Sequence, residues 1–139
     1  MASSMTAVDT NILVRYAVND EPTQSLQAKT LLKNTDAIFI SKTTLLEFEW
    51  VLRSAYKLPR ESILHSILTI CGLPNITVES AWQVAQACEL YSKGLDFADA
   101  LHYYSANTSV EKFYTFDEKF IKNGKLLNLQ IGKPDPILD

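Results

Sequence analysis

Thr6-Ala7-Val8-Asp9-Thr10-Asn11-Ile12-Leu13 is the stretch that decides how this chain is read. Its first half is short and β-prone, and Asp9-Thr10-Asn11 suits a strand-to-helix turn. A buried strand over Thr6–Asp9 is therefore expected, followed by a helix from about Ile12. Strand running straight into helix is the repeating step of an α/β fold. Asp9 then falls at the end of a strand, and in parallel sheets ligands gather beyond the carboxyl ends of the strands.

Downstream segments repeat the alternation. Pro22 opens a helix, Asp36–Ile40 reads as a second strand, and Ser41 caps a helix over Thr43–Tyr56. Pro59 starts another helix, which stops at Gly72. A short strand over Asn75–Val78 and a helix over Glu79–Lys93, ending at Gly94, come next. Helix over Phe97–Asn107, strand over Lys112–Thr115, helix over Phe116–Asn123 and strand over Leu127–Ile131 complete the pattern. The expectation is one α/β domain over 1–139, with a mostly parallel sheet, a polar lead at 1–5 and a Pro-containing tail at 133–139.

Composition narrows the function classes. A length of 139 residues suffices for one real core, and a formal charge of −3 advertises no strongly basic nucleic-acid surface. Bound cations could supply the missing positive charge locally. Cys71 and Cys88 are too few and too far apart for a zinc site or disulfide framework, and read as free buried thiols. No apolar run reaches the about 20 residues of a membrane span, and no secretory leader is visible. A cytoplasmic protein without membrane contact is the expectation.

Four acids sit inside otherwise apolar stretches: Asp9, Glu47, Asp99 and Asp117. A carboxylate in such surroundings is costly unless compensated, and one or two hard divalent cations would compensate several at once. That pattern points to a metal-dependent hydrolase, a nuclease first. Each acid also has a plainer reading. Asp9 and Asp117 suit helix N-caps, and Asp96 could cap a helix whose first turn Asp99 stabilises. In the helix of Glu47, the apolar face Leu45, Phe48, Leu52 and Ala55 leaves Glu47 and Glu49 on its two flanks, so periodicity does not choose between them. His102 reads as a half-buried packing histidine. A phosphatase with Asp9 as nucleophile would want a second Asp two residues on, where this chain has Asn11.

Taken in order, Val8-Asp9-Thr10-Asn11-Ile12-Leu13, Leu46-Glu47-Phe48-Glu49-Trp50-Val51-Leu52, Asp96-Phe97-Ala98-Asp99-Ala100-Leu101 and Thr115-Phe116-Asp117 resemble the PIN-domain family. More narrowly they resemble the VapC-like toxins of bacterial and archaeal toxin–antitoxin pairs. The resemblance implies a three-layer α/β/α sandwich and a Mg²⁺- or Mn²⁺-dependent endoribonuclease with one or two ions. It implies that Asp9, Glu47, Asp99 and Asp117 are the metal-binding catalytic quartet, and it places Glu47 rather than Glu49 in that set. Asn11, Asp96 and Thr115 become accessory groups. RNA as substrate, a cognate antitoxin and a homodimer are the partners it implies. The alternative is a catalytically inactive PIN-fold module that binds protein or RNA. Trp50, Tyr56, Trp82 and Tyr91 look exposed enough to serve an interface.

Overall fold

A computed structural model describes residues 4–106 and 109–138. Part of the expected polar lead, the last residue of the tail and the Asn107 end of one expected helix lie outside the described residues. The chain divides into two compact units, Met1–Val84 and Ala85–Asp139.

The first unit alternates β1 (Thr6–Ala7), α1 (Thr10–Ala17), α2 (Pro22–Asn34), β2 (Ile38–Ile40), α3 (Lys42–Ser54), α4 (Arg60–Cys71) and β3 (Ile76–Val78). Its sheet runs β1-β2-β3 with both pairings parallel, Thr6 opposite Ile38 and Ile38 opposite Ile76. The central strand carries the apolar burden, with Ile38 and Ile40 fully buried. The edge strand differs from expectation: β1 is two residues long and both are exposed. Helix α1 starts at Thr10 rather than Ile12, because the Asp9 carboxylate accepts the Ile12 N–H and so closes the first turn.

Local chemistry sets the other boundaries. Pro22 occupies the first turn of α2 while the Glu21 carboxylate accepts from the N–H groups of Thr23 and Gln24. At the far end, the Asn75 amide donates to the carbonyls of Leu32 and Thr35 at 2.7 and 2.8 Å, satisfying groups the helix leaves open. The Ser41 hydroxyl accepts from Thr44 N–H at 3.1 Å to start α3, and Gly72 follows the last turn of α4. Helix α1 packs on α2 and α3, and α3 packs on α4. Leu45, Phe48 and Leu52 of α3 are fully buried, as their spacing predicts. Ala55 is exposed and Glu49 is buried, so the apolar face is rotated from the expected one. Phe48→Ala is expected to cost about 3–5 kcal/mol, read as a lower urea midpoint with an unchanged slope.

The boundary between the units falls within α5 (Ala81–Ser92), after which come α6 (Phe97–Ser105), β4 (Phe113–Tyr114), α7 (Glu118–Leu126) and β5 (Ile131–Gly132). Gly94 takes φ 103° in the α5–α6 turn, a conformation that favours glycine. Strands β4 and β5 are parallel, Phe113 opposite Ile131 and Tyr114 opposite Gly132. The last strand was expected over Leu127–Ile131, but Leu127 and Leu129 donate back to α7 carbonyls and the strand begins only at Ile131. Tyr91 meets Phe97 edge to face at 5.4 Å, and Phe113 lies 5.7 Å from Phe120. The chain thus has the α/β class with parallel strands that its alternation implies. Among the described residues no helix is long and apolar enough to cross a membrane.

Candidate functional site

The first unit presents Asp9 at the N-terminus of α1. One carboxylate oxygen, Oδ1, accepts the Ile12 N–H at 3.2 Å, and Oδ2 has no partner among the described residues. Asp9 is exposed and borders a cleft of about 660 Å³ that Asn11, Arg15, Gln24 and Gln27 also line. Capping and ligation are therefore compatible, since the cap occupies a single oxygen.

Glu47 and Glu49, which periodicity leaves undecided, lie in opposite environments. Glu49 is 2% exposed and accepts from Arg53 Nε at 2.9 Å across one helical turn. Its charge is compensated from within α3. Glu47 is exposed and makes no hydrogen bond or ion pair among the described residues.

The second unit carries the remaining acids at the starts of α6 and α7. Asp96 is the N-cap of α6, its Oδ1 accepting the Asp99 N–H at 3.0 Å. Asp117 caps α7 by accepting the Phe120 N–H at 3.0 Å, while the Thr115 hydroxyl oxygen accepts the N–H of Asp117. Thr115 thereby fixes the backbone that carries the acid. Asp99, in the first turn of α6, is held up at a pKa of about 6. Burial is the main cause, followed by the negative charges of Asp96 and Asp117, with His102 opposing them. His102 is exposed rather than packed, so the expectation of a packing histidine is corrected.

Among the described residues, no group of three or more His, Cys, Asp or Glu is close enough to hold a metal ion. The donor chemistry nonetheless fits a hard cation. Asp96 and Asp117 are near enough to oppose the ionisation of Asp99, and each keeps an oxygen outside its cap. Carboxylate oxygens in mutual repulsion are what Mg²⁺ or Mn²⁺ binds and relieves.

These acids stand at helix starts that follow parallel strands or tight turns, and the PIN domain model matches residues 6–126. The chain belongs to the PIN domain family. It is also similar to VapC20 of Mycobacterium tuberculosis, whose crystal structure is described as that of a sarcin–ricin loop cleaving toxin. The two are 19% identical, the match covers 87% of this chain and 95% of that one, and the TM-score is 0.43. No curated protein matches the sequence.

PIN-domain membership assigns the chain to a family of ribonucleases that generally use divalent metals. Several cations of this PIN domain are engaged internally: Arg15 with Asp20, Arg53 with Glu49, and Lys93 with Glu89. Sequence reading missed the Arg15–Asp20–Tyr56 cluster, whose members are up to 41 residues apart and share no periodic signal. It also missed Phe116, which is 76% exposed directly before Asp117. Of the aromatic side chains expected outside, Trp50 and Trp82 are exposed, Tyr56 is half-buried, and Tyr91 is 1% exposed because it packs on Phe97.

Proposed function

We propose that this PIN domain is a metal-dependent endoribonuclease and the toxin of a toxin–antitoxin pair. Asp9, Glu47, Asp99 and Asp117 are its acidic residues, and Asn11, Asp96 and Thr115 assist them. The observation that carries the reading is the ionisation of Asp99, opposed by Asp96 and Asp117 in a protein with no internal cation against those acids in any described ion pair. A structural carboxylate would be expected to have a partner, as Glu49 has.

One or two Mg²⁺ or Mn²⁺ ions, when bound, would supply an activated water and offset charge on the phosphate. The protein's own residues do the holding. Asp9, Asp96 and Asp117 each commit one oxygen to a cap, which fixes the direction of the other. Thr115 locks Asp117, and Asn11 offers an uncommitted amide beside Asp9. Hydrolysis then needs no covalent enzyme intermediate.

The wider reading is of one functional domain acting in the cytoplasm as a homodimer, restrained by an antitoxin. Trp50 and Trp82, 58% and 59% exposed, support an interface between copies or with that partner. The test is incubation of the pure protein with total RNA and Mg²⁺, followed by mapping of cut ends. Discrete cuts that EDTA abolishes are expected. Intact RNA would favour a binding module, and phosphate release from a monoester would favour a phosphatase. Light scattering at micromolar protein checks the dimer, which a monomer mass would exclude.

A further inference from the structure

We infer that the cleft between α1 and α2 beside Asp9 is a subsite for single-stranded RNA, where Arg15 holds a phosphate and Asn11 and Gln27 contact the adjoining nucleotide. The inference rests on the nuclease reading and adds to it the surface that receives the strand. The cleft encloses about 660 Å³, within the roughly 300–1,000 Å³ of small-ligand clefts and enough for a nucleotide.

Arg15 is held from three directions. Its Nε donates to Gln24 Oε1 at 2.7 Å, and its Nη1 donates to Asp20 Oδ1 at 3.2 Å and to the Tyr56 hydroxyl at 3.0 Å. The Tyr56 hydroxyl donates in turn to Asp20 Oδ2 at 2.8 Å. A guanidinium gripped in this way has lost its rotamer freedom before any ligand arrives. Its Nη2 makes no hydrogen bond among the described residues, and the side chain is 28% exposed. The fork is thus fixed at one end and open at the other, as a phosphate contact requires.

Ile12, Ala28 and Leu31 make part of the remaining lining apolar, and it is the amides that favour RNA over a peptide. Asn11 stands four residues before Arg15 on α1, and Gln27 three after Gln24 on α2, so each pair shares a helix face. The side chains of Asn11 and Gln27 have no hydrogen-bond partner among the described residues, although both border the cleft. Amides offer a donor and an acceptor together, matching the edges of unpaired bases. A groove for an amphipathic peptide would be mainly apolar, as is the separate one lined by Tyr16, Leu32, Leu73 and Pro74.

The test uses Asp99→Asn protein, to silence cleavage, and a fluorescein-labelled single-stranded oligoribonucleotide of about ten residues, read by anisotropy. Adding Arg15→Gln should weaken binding by about tenfold for every sequence and reduce the salt slope by about 0.7, the share of one phosphate on a single strand. Adding Gln27→Ala, an exposed site whose loss spares the fold, should flatten preference among oligonucleotides differing at one base by roughly tenfold, with the slope unchanged. Lys122→Ala on α7 is the control and should alter neither. A lower Tm in Arg15→Gln with an unchanged salt slope, together with unchanged binding by Gln27→Ala, would overturn the subsite. If the parent protein still cut RNA, the nuclease reading would survive that result. Binding of inorganic phosphate as tight as that of the oligonucleotide would make the cleft a free-phosphate site and overturn the RNA assignment. A wild-type protein that cuts no RNA, with an Asp99→Asn form that binds none, would remove both readings.

Discussion

Asp99→Asn is expected to lower RNA cleavage by more than about 100-fold while raising the Tm of the metal-free protein at pH 8. The two effects have one origin. Burial and the charges of Asp96 and Asp117 raise the Asp99 pKa from its ordinary 3.8 to about 6. The folded protein therefore binds this proton more tightly than the unfolded chain does. The contribution is most favourable below about pH 4, declines as pH rises towards about 6, and above that persists as a penalty. An amide carries no such penalty, so the variant gains on wild type across that window and keeps the advantage at higher pH. Added Mg²⁺ should raise the wild-type Tm more at pH 8 than at pH 5, because at pH 5 a proton occupies the carboxyl group the ion needs. Unreduced cleavage by pure Asp99→Asn protein would remove Asp99 from the catalytic set. A wild-type and variant pair with parallel pH–stability curves would show that Asp99 does not titrate as described.

The second expected result separates two glutamates only two positions apart. Glu47→Gln should reduce cleavage by more than about 100-fold with no change in thermal midpoint, since Glu47 is exposed and supports no described contact. Glu49→Gln should leave cleavage within a few-fold of wild type. Arg53→Met, which removes the cation at 2.9 Å from a carboxylate 2% exposed, should instead cost stability. The cost is expected at about 1–2 kcal/mol, the value for a charged hydrogen bond discounted because Arg53 is half exposed. Parallel activity assays and urea titrations decide the matter. If Glu49→Gln is the inactive variant and Glu47→Gln the active one, the alignment of the family's second acid onto Glu47 is misplaced.

The local settings of several candidate site residues were legible in the sequence because their contacts are short-range. Asp9, Asp96 and Asp117 each cap a helix within three residues of themselves, and such caps depend on nearest neighbours in the chain. The plain reading of these acids as caps and the chemical one as ligands turn out not to compete, because a carboxylate has two oxygens. Thr115 likewise acts on Asp117 over two residues. The order of strands and helices was legible for the same reason, with errors at the ends. Strand Thr6–Asp9 shrank to an exposed pair once Asp9 was spent on the cap, and the Leu127–Ile131 strand was shortened by a helix end that folds back on Gly124.

What the chain determined alone is therefore the alternation of elements, their caps and the family to which they belong, all set by contacts a few residues long. Tertiary structure decided which flank of α3 is inside, burying Glu49 beside Arg53 and leaving Glu47 in water. It also placed Tyr91 against Phe97 and closed the Arg15–Asp20–Tyr56 cluster across 41 residues. Helical periodicity names a face only to within a flank, and what covers each flank is set by neighbouring elements. The proton affinity of Asp99 belongs to the same class, because burial and the field of Asp117 exist only once the chain has folded.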